Sequence, residues 1–233
     1  MNYRHKIQYI LVQKLKISNQ NAKDLLSQNK VLQNGEVCSE NRLVQPYDLL
    51  EVNGKVVQSK EQFEYFILNK PKGIECTLNK GIDNNLSNYL GEEYSHLFYA
   101  GRLDKNSEGL ILLMNDGIAY NKIIHPNQHL PKKYIVKLEN RFEPNFIEKM
   151  AQGVEILGTT TLPCLVSPLD KQSFEIILTQ GMNRQIRRMC FALDNYVTQL
   201  QRISIGAIEL GELPIGEMRK LNPKEILWIQ NLT

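Results

Sequence analysis

Ile7, Ile10, Leu11 and Leu15 recur at the three- and four-residue spacing of one helical face, which predicts a short amphipathic helix over residues 7–16. A second helix is expected from about Asn19 to Asn29, with Ala22, Leu25 and Leu26 turned inward. The period then changes. Apolar runs around Val31 and over Leu49, Leu50 and Val52 are each followed by Asn-Gly, at 34–35 and 53–54. That dipeptide favours hairpins, because a type I′ turn needs positive φ at both central residues. Two helices and a small sheet therefore complete a module over residues 1–58. From Phe63 onward β-type runs alternate with turns, at Tyr65–Leu68, Leu97–Ala100, Leu110–Met114, Tyr134–Leu138 and Phe174–Thr179, with helical stretches near 142–151 and 183–193. The mixture predicts an α+β protein whose larger part, residues 63–233, is built on a mixed, largely antiparallel sheet with flanking helices.

Composition narrows the function more than the fold. With 42% hydrophobic and 23% charged residues the chain can bury a core. No run approaches the ~18 consecutive apolar residues of a membrane span, and Arg4, His5 and Lys6 stand where a signal peptide would be apolar, so a cytoplasmic location is expected. Cysteines 38, 76, 164 and 190 stand singly, without a Cys-x-x-Cys pair, which points to neither disulfides nor zinc. His125 and His129 are four apart, but the intervening Pro126 disfavours a helical metal pair. No phosphate-cradling or dinucleotide glycine motif is present, and no cofactor is expected. The net charge of +3 is unevenly spread: residues 1–60 carry +4 and the remainder −1. A basic module beside a nearly neutral domain reads either as a nucleic-acid anchor or as an ordinary solvated surface with a few extra lysines.

The segment richest in chemistry runs from Gly101 to Gly117: Gly-Arg-Leu-Asp-Lys-Asn-Ser-Glu-Gly, then an apolar strand, then Asn-Asp-Gly. It is a polar loop between two apolar strands, bounded by glycines that permit tight turns. Catalytic groups favour such loops on rigid sheets. From residue type alone, Asp104 reads first as a turn-capping aspartate. A second segment, Gly181-Met182-Asn183-Arg184-Gln185-Ile186-Arg187-Arg188-Met189-Cys190, offers Asn183 as a helix N-cap. At 100° per residue it gathers Arg184, Arg187 and Arg188 on one face, opposite Ile186, Met189, Cys190 and Leu193. In isolation that is a basic solvated helix.

Taken together these blocks resemble a known family. Gly101-Arg-Leu-Asp104 with Ser107 and Gly109-Leu110 looks like the catalytic-aspartate motif of the RsuA-type pseudouridine synthases. Leu68-Asn69-Lys70-Pro71-Lys72-Gly73, Lys132-Lys133-Tyr134-Ile135-Val136 and the Gly181–Cys190 run follow in the family's order. The closing segment from Ile205 to Glu217 is similar too, so the likeness covers nearly the whole chain. It implies an RNA-modifying isomerase that turns a specific uridine into pseudouridine without a cofactor. Asp104 would be the essential carboxylate, as nucleophile or as base at the ribose. Arg187 would be its ion-pair partner, Tyr134 would pack against the flipped base, and Arg102 would lie near the extruded nucleotide or its phosphate. Arg184 is expected to bind substrate as part of the basic face without touching Asp104.

The Gly181–Cys190 run and Gly153–Thr159 are most similar to a subgroup acting on large-subunit ribosomal RNA. A structured ribosomal stem-loop is therefore the expected partner, with transfer RNA as a second candidate and a monomer as the expected state. The N-terminal order of elements resembles the S-four type RNA-binding module. The Ser-Arg-Arg-like run usual at its second helix is here Ser18-Asn19-Gln20-Asn21, leaving Lys14, Lys16, Lys23 and Lys30 as contacts. The rival readings are a non-catalytic RNA-binding or ribosome-assembly protein on the same fold, and an aspartate-dependent hydrolase. The second would need another catalytic carboxylate or a metal site, and neither stands out.

If the N-terminal module anchors RNA, deleting residues 1–58 will weaken binding and flatten its salt dependence, by about one unit of slope in log K against log salt for each phosphate that the module neutralises. Titration of RNA at several salt concentrations measures this, and an unchanged slope rules the anchor out.

Overall fold

The computed structural model describes residues 3–45, 48–59, 63–79, 81–125 and 128–232. The chain divides into two compact units, Met1–Phe63 and Glu64–Thr233. In the first, helices α1 (Ile7–Leu15) and α2 (Asn19–Ser27) precede strands β1 (Val31–Gln33), β2 (Glu36–Val37), β3 (Leu50–Val52) and β4 (Lys55–Gln58). Ser18 caps α2, its hydroxyl accepting a hydrogen bond from the Asn21 amide at 3.1 Å. The strands form an antiparallel sheet in the order β2-β1-β3-β4. Both Asn-Gly pairs adopt the positive φ their sequence asks for, 55° and 84° at 34–35 and 50° and 75° at 53–54. Ile7, Leu11, Ala22 and Leu26 from the helices close over Val31, Leu50 and Val52 of the sheet. Lys14, Lys16, Lys23 and Lys30 are left exposed.

The second unit is a nine-stranded sheet flanked by helices. Its first half contains β5 (Tyr65–Lys70), α3 (Leu86–Leu90), β6 (Phe98–Ala100), β7 (Glu108–Met114), α4 (Gly117–Ile124), β8 (Lys132–Leu138) and α5 (Phe146–Gln152). A small hairpin, β9 (Glu155–Ile156) with β10 (Thr159–Thr160), stands apart from that sheet. Then come β11 (Leu165–Pro168), β12 (Ser173–Leu178), α6 (Gln185–Ala192), β13 (Val197–Ile205), β14 (Ile208–Glu209), β15 (Met218–Lys220) and α7 (Pro223–Gln230). The sheet order is β11-β12-β8-β13-β7-β5-β15, with β14 on β13 and β6 on β7. Among the described strands of this sheet every pairing is antiparallel except β13 with β7. The mixed α+β architecture expected from the sequence is thus present.

Several elements lay outside the sequence expectation. Helix α4 starts at Asp116, whose carboxylate accepts the amides of Ile118 and Ala119, and α7 begins with a full capping box of Asn222 and Glu225 behind Pro223. Both are local start signals. The long strand β13 was hidden because polar residues interrupt it. His125 ends α4 rather than lying within a helix shared with His129, while Pro126 falls outside the described residues. No described helix is long and apolar enough to cross a membrane.

The single parallel pair sets Arg202 of β13 against Gly109 of β7, and Lys70 of β5 meets the same glycine from the other side. Gly109 has φ 104°, and a Cβ there would lie 2.3 Å from the Arg202 carbonyl oxygen and 2.7 Å from its amide nitrogen. The Arg202 backbone forbids a side chain there. Gly109→Ala is therefore expected to cost roughly 2–4 kcal/mol from backbone strain plus overpacking. Gly117→Ala, with open space at its Cβ, should stay within about 0.5 kcal/mol. Urea unfolding of the two variants makes the comparison, and equal midpoints would refute it.

Candidate active site

The loop between β6 and β7 carries Asp104, and its backbone is held from several directions. Gly101, at φ 76°, turns the chain out of β6. Leu103 is buried and its amide donates to Cys76 Sγ at 3.4 Å, pinning the residue before Asp104 to the core. The Gly73 amide donates to the Lys105 carbonyl at 2.8 Å. The turn is closed by the Ser107 amide donating to the backbone carbonyl of Asp104 at 2.9 Å. The turn is therefore made by backbone, and the Asp104 carboxylate is left free to project, 31% exposed.

Two guanidinium groups complete the clamp. Arg202, only 1% exposed, donates from Nε to the Leu110 carbonyl at 2.8 Å and from Nη1 to the Arg102 carbonyl at 3.3 Å. Arg187 donates from Nη2 to the Asn106 carbonyl at 2.8 Å and to Ser107 Oγ at 3.3 Å, and from Nη1 to the Val197 carbonyl at 3.1 Å. Both ends of the loop are thus tied to elements far away in sequence. Arg202 carries no signal in any motif; the trace it leaves in the sequence is a charged residue inside an otherwise strand-like run, Leu200 to Ile205.

The arginines divide differently from the helical-wheel expectation. Helix α6 begins at Gln185, not after an Asn183 cap, and the capping position is Arg184 in the left-handed conformation, φ 51°. That conformation swings Arg184 out of the helical row, and its Nη1 lies 3.9 Å from Asp104 Oδ2. Arg184, expected to stay clear of Asp104, is its ion-pair partner among the described residues. Arg187 instead spends its donors on the loop's carbonyls and hydroxyl. Burial, then the neighbouring Arg184 charge, lower the Arg187 pKa, while Asp104 acts in the opposite sense, so the three groups share one field.

Beneath the loop lie more cations. Lys70, fully buried, donates to the Pro71 and Ile74 carbonyls at 2.8 Å each. Its pKa is lowered, chiefly by burial and further by Arg202, against the opposing pull of the Glu108 and Asp104 carboxylates. Lys132 donates to the Leu130 carbonyl at 2.9 Å, its pKa lowered by burial and by Arg202. Tyr134 is half-buried on β8 as the register partner of Arg202, so both side chains leave the same face of the sheet. Arg102 is exposed on the loop itself. A groove of about 380 Å³ runs along the loop's other flank, lined by Lys72, Asn106, Glu108, Lys137, Thr198 and Gln199 among others. Among the described residues no group of three or more His, Cys, Asp or Glu side chains is placed to hold a metal ion.

A loop-borne carboxylate set beside buried cations, on a sheet with one parallel seam, makes a candidate active site. Comparison with known proteins gives the class. Residues 64–192 match the RNA pseudouridylate synthase family. The chain is 36% identical over 212 residues to the dual-specificity RNA pseudouridine synthase RluF of Escherichia coli strain K12, covering 90% of this chain and 73% of that one. It is 30% identical over 217 residues to ribosomal large subunit pseudouridine synthase B of Bacillus subtilis strain 168, covering 90% and 88%. A crystal structure of a pseudouridylate synthase superimposes with a TM-score of 0.68 at 28% identity, over 98% of this chain and 99% of that one. The chain belongs to the RsuA-type RNA pseudouridine synthases: it is an isomerase acting on RNA.

The geometry separates two arginines that the sequence treats alike. Removing Arg187 takes a donor from the buried Ser107 hydroxyl and from the Asn106 and Val197 carbonyls, so Arg187→Ala should lower unfolding stability by about 2–3 kcal/mol as well as turnover. Arg184 is exposed, and Arg184→Ala should stay within about 0.5 kcal/mol of the parent while turnover at saturating RNA falls. Thermal unfolding beside single-turnover assays reads both, and equal stability losses would show that Arg187 does not brace the loop.

Proposed function

We propose that this enzyme isomerises a specific uridine of ribosomal RNA, within the large subunit, with Asp104 as the reacting carboxylate. The observation that carries this reading is the way Asp104 stands clear of a loop whose backbone is fixed on both sides by Arg202 and Arg187. In the isomerisation the bond from ribose C1′ to N1 breaks, the uracil turns, and C1′ joins C5, the C5 proton being lost and N1 gaining one. No electron or phosphate changes hands, so side chains suffice. The uridine first has to leave its stack, at a cost of a few kcal/mol. Asp104 then acts at the ribose, as nucleophile or as base. Arg184 balances its charge, Tyr134 gives an aromatic face worth ~1–3 kcal/mol to a stacked base, and exposed Arg102 meets the extruded nucleotide or its phosphate. Arg187 acts through the loop.

The ribosomal assignment is supported by the likeness to the Bacillus subtilis ribosomal large subunit pseudouridine synthase; transfer RNA is the second substrate class to examine. Residues 1–58 are read as an S-four type RNA-binding module, supported by the paired helices with exposed Lys14, Lys16, Lys23 and Lys30. A monomer in the cytoplasm fits an enzyme that meets RNA during ribosome assembly.

Asp104→Asn tests the chemistry. The amide keeps the shape but can be neither nucleophile nor base, so pseudouridine formation should fall at least ~100-fold while stability stays within about 0.5 kcal/mol. Carbodiimide mapping of ribosomal and transfer RNA from cells lacking the gene, complemented with either form, reads the outcome. Full modification by the asparagine form would remove Asp104 from the mechanism.

A further inference from the structure

Among the described phenylalanines Phe191 alone is exposed, at 62%, and Tyr196 beside it is 55% exposed. Their rings meet edge to face, 5.6 Å between centroids at 61°. An exposed aromatic pair offers two flat apolar faces on which a planar partner can stack. The pair is also rigidly mounted. Phe191 sits in the last turn of α6, while the Tyr196 amide donates to the buried Asn195 side chain at 2.9 Å and its carbonyl accepts from the Glu139 amide at 2.8 Å. Asn195 is fixed in turn by donating to the Asn140 carbonyl at 3.1 Å.

The position of the pair gives its partner. On α6 the buried side is Gln185, Ile186, Met189 and Cys190. Arg188 and Phe191 are neighbours at i, i+3 on the opposite side, and Arg184, capping the helix start outside that row, reaches to Asp104. Arg188 is steadied by donating from Nε to the Asn183 carbonyl at 3.1 Å. From Arg184 to Phe191 the helix rises about 10 Å. The surface thus runs from the reacting carboxylate through guanidinium groups to aromatic faces, the arrangement that suits a single nucleic-acid strand: cations for the backbone and rings for bases. Arg184 and Arg188 supply charge complementary to RNA, with one exposed acid, Asp194, in the turn between the two rings, and the surface is continuous with the site where the target uridine is proposed to react.

We infer that the outer face of α6 and the turn after it form a track for unpaired RNA, in which Arg188 meets a phosphate and the Phe191–Tyr196 pair stacks a base flanking the target uridine. This rests on Asp104 marking the place of reaction. A preorganised aromatic surface loses little conformational freedom on binding, and stacking tolerates any base. The track therefore supplies affinity for an unpaired segment beside the target, and base-edge contacts elsewhere carry the sequence.

The test is fluorescence anisotropy of the full chain with a fluorescein-labelled single-stranded oligouridylate and with a blunt RNA duplex of the same length. Phe191→Ala and Tyr196→Ala should each weaken single-strand binding roughly 5- to 100-fold, the value of one stacked base. Duplex binding and the salt slope should not change, because no charge is removed. Phe191→Trp should restore affinity and Phe191→Leu should not, which separates stacking from plain apolar contact. Arg188→Ala should instead reduce the salt slope by about 0.7. Unchanged single-strand affinity in both alanine variants overturns the track, as does full affinity in Phe191→Leu. Loss of self-association with RNA affinity intact also overturns it, since a second copy would then cover the pair. Pseudouridine formation in ribosomal RNA is read on the same preparations. A parent enzyme that forms none defeats the catalytic reading, whereas aromatic-independent binding defeats the track alone.

Discussion

The active loop depends on a guanidinium sealed inside the sheet. Arg202 is 1% exposed and its Nη2 is buried without a hydrogen-bond partner among the described residues, so the fold bears a desolvation cost to keep it there. Its Nε and Nη1 hold Leu110 and Arg102, one on each side of the loop that carries Asp104. The placement requires β13 to run parallel to β7 and to approach Gly109 so closely that no Cβ fits. A parallel seam in an otherwise antiparallel sheet is thus the means by which one strand reaches the base of a loop made by two others. Glycine and buried arginine form one device, since a side chain at 109 would push away the strand that brings the clamp.

Around that device the charges are unbalanced in a useful way. Lys70, Lys132, Arg187 and Arg202 all lie partly or wholly within the protein near the loop, and the acids that share their field are Asp104 and Glu108. Low-dielectric walls lined by one sign of charge focus potential into the cleft, which draws in a polyanion and orients it before any specific contact forms. The buried cations are satisfied mostly by carbonyls rather than carboxylates, so their charge is not cancelled locally. Arg184 differs from them. It is exposed and 3.9 Å from Asp104, whereas Arg187 is held by its hydrogen bonds to Asn106 and Ser107.

Local pattern and non-local geometry contributed separately. The sequence by itself determined the two Asn-Gly hairpins, the paired N-terminal helices, five of the eleven described strands of the larger unit and the polar loop holding Asp104, because each is written in turn chemistry or in a period of two or 3.6 over adjacent residues. Family resemblance then raised Asp104 from a turn aspartate to the proposed reacting group. Tertiary structure alone decided which arginine faces it. A helical wheel puts Arg184 and Arg187 together, but α6 starts one residue after Arg184, and the left-handed backbone there sends that side chain to Asp104 while Arg187 turns inward. Only the register of β13 against β7 made Arg202 a clamp, and register between distant strands is set by packing of whole faces and by where a glycine lets backbones touch. A sequence read in windows holds no record of which residues, far apart in the chain, will share one hydrogen bond.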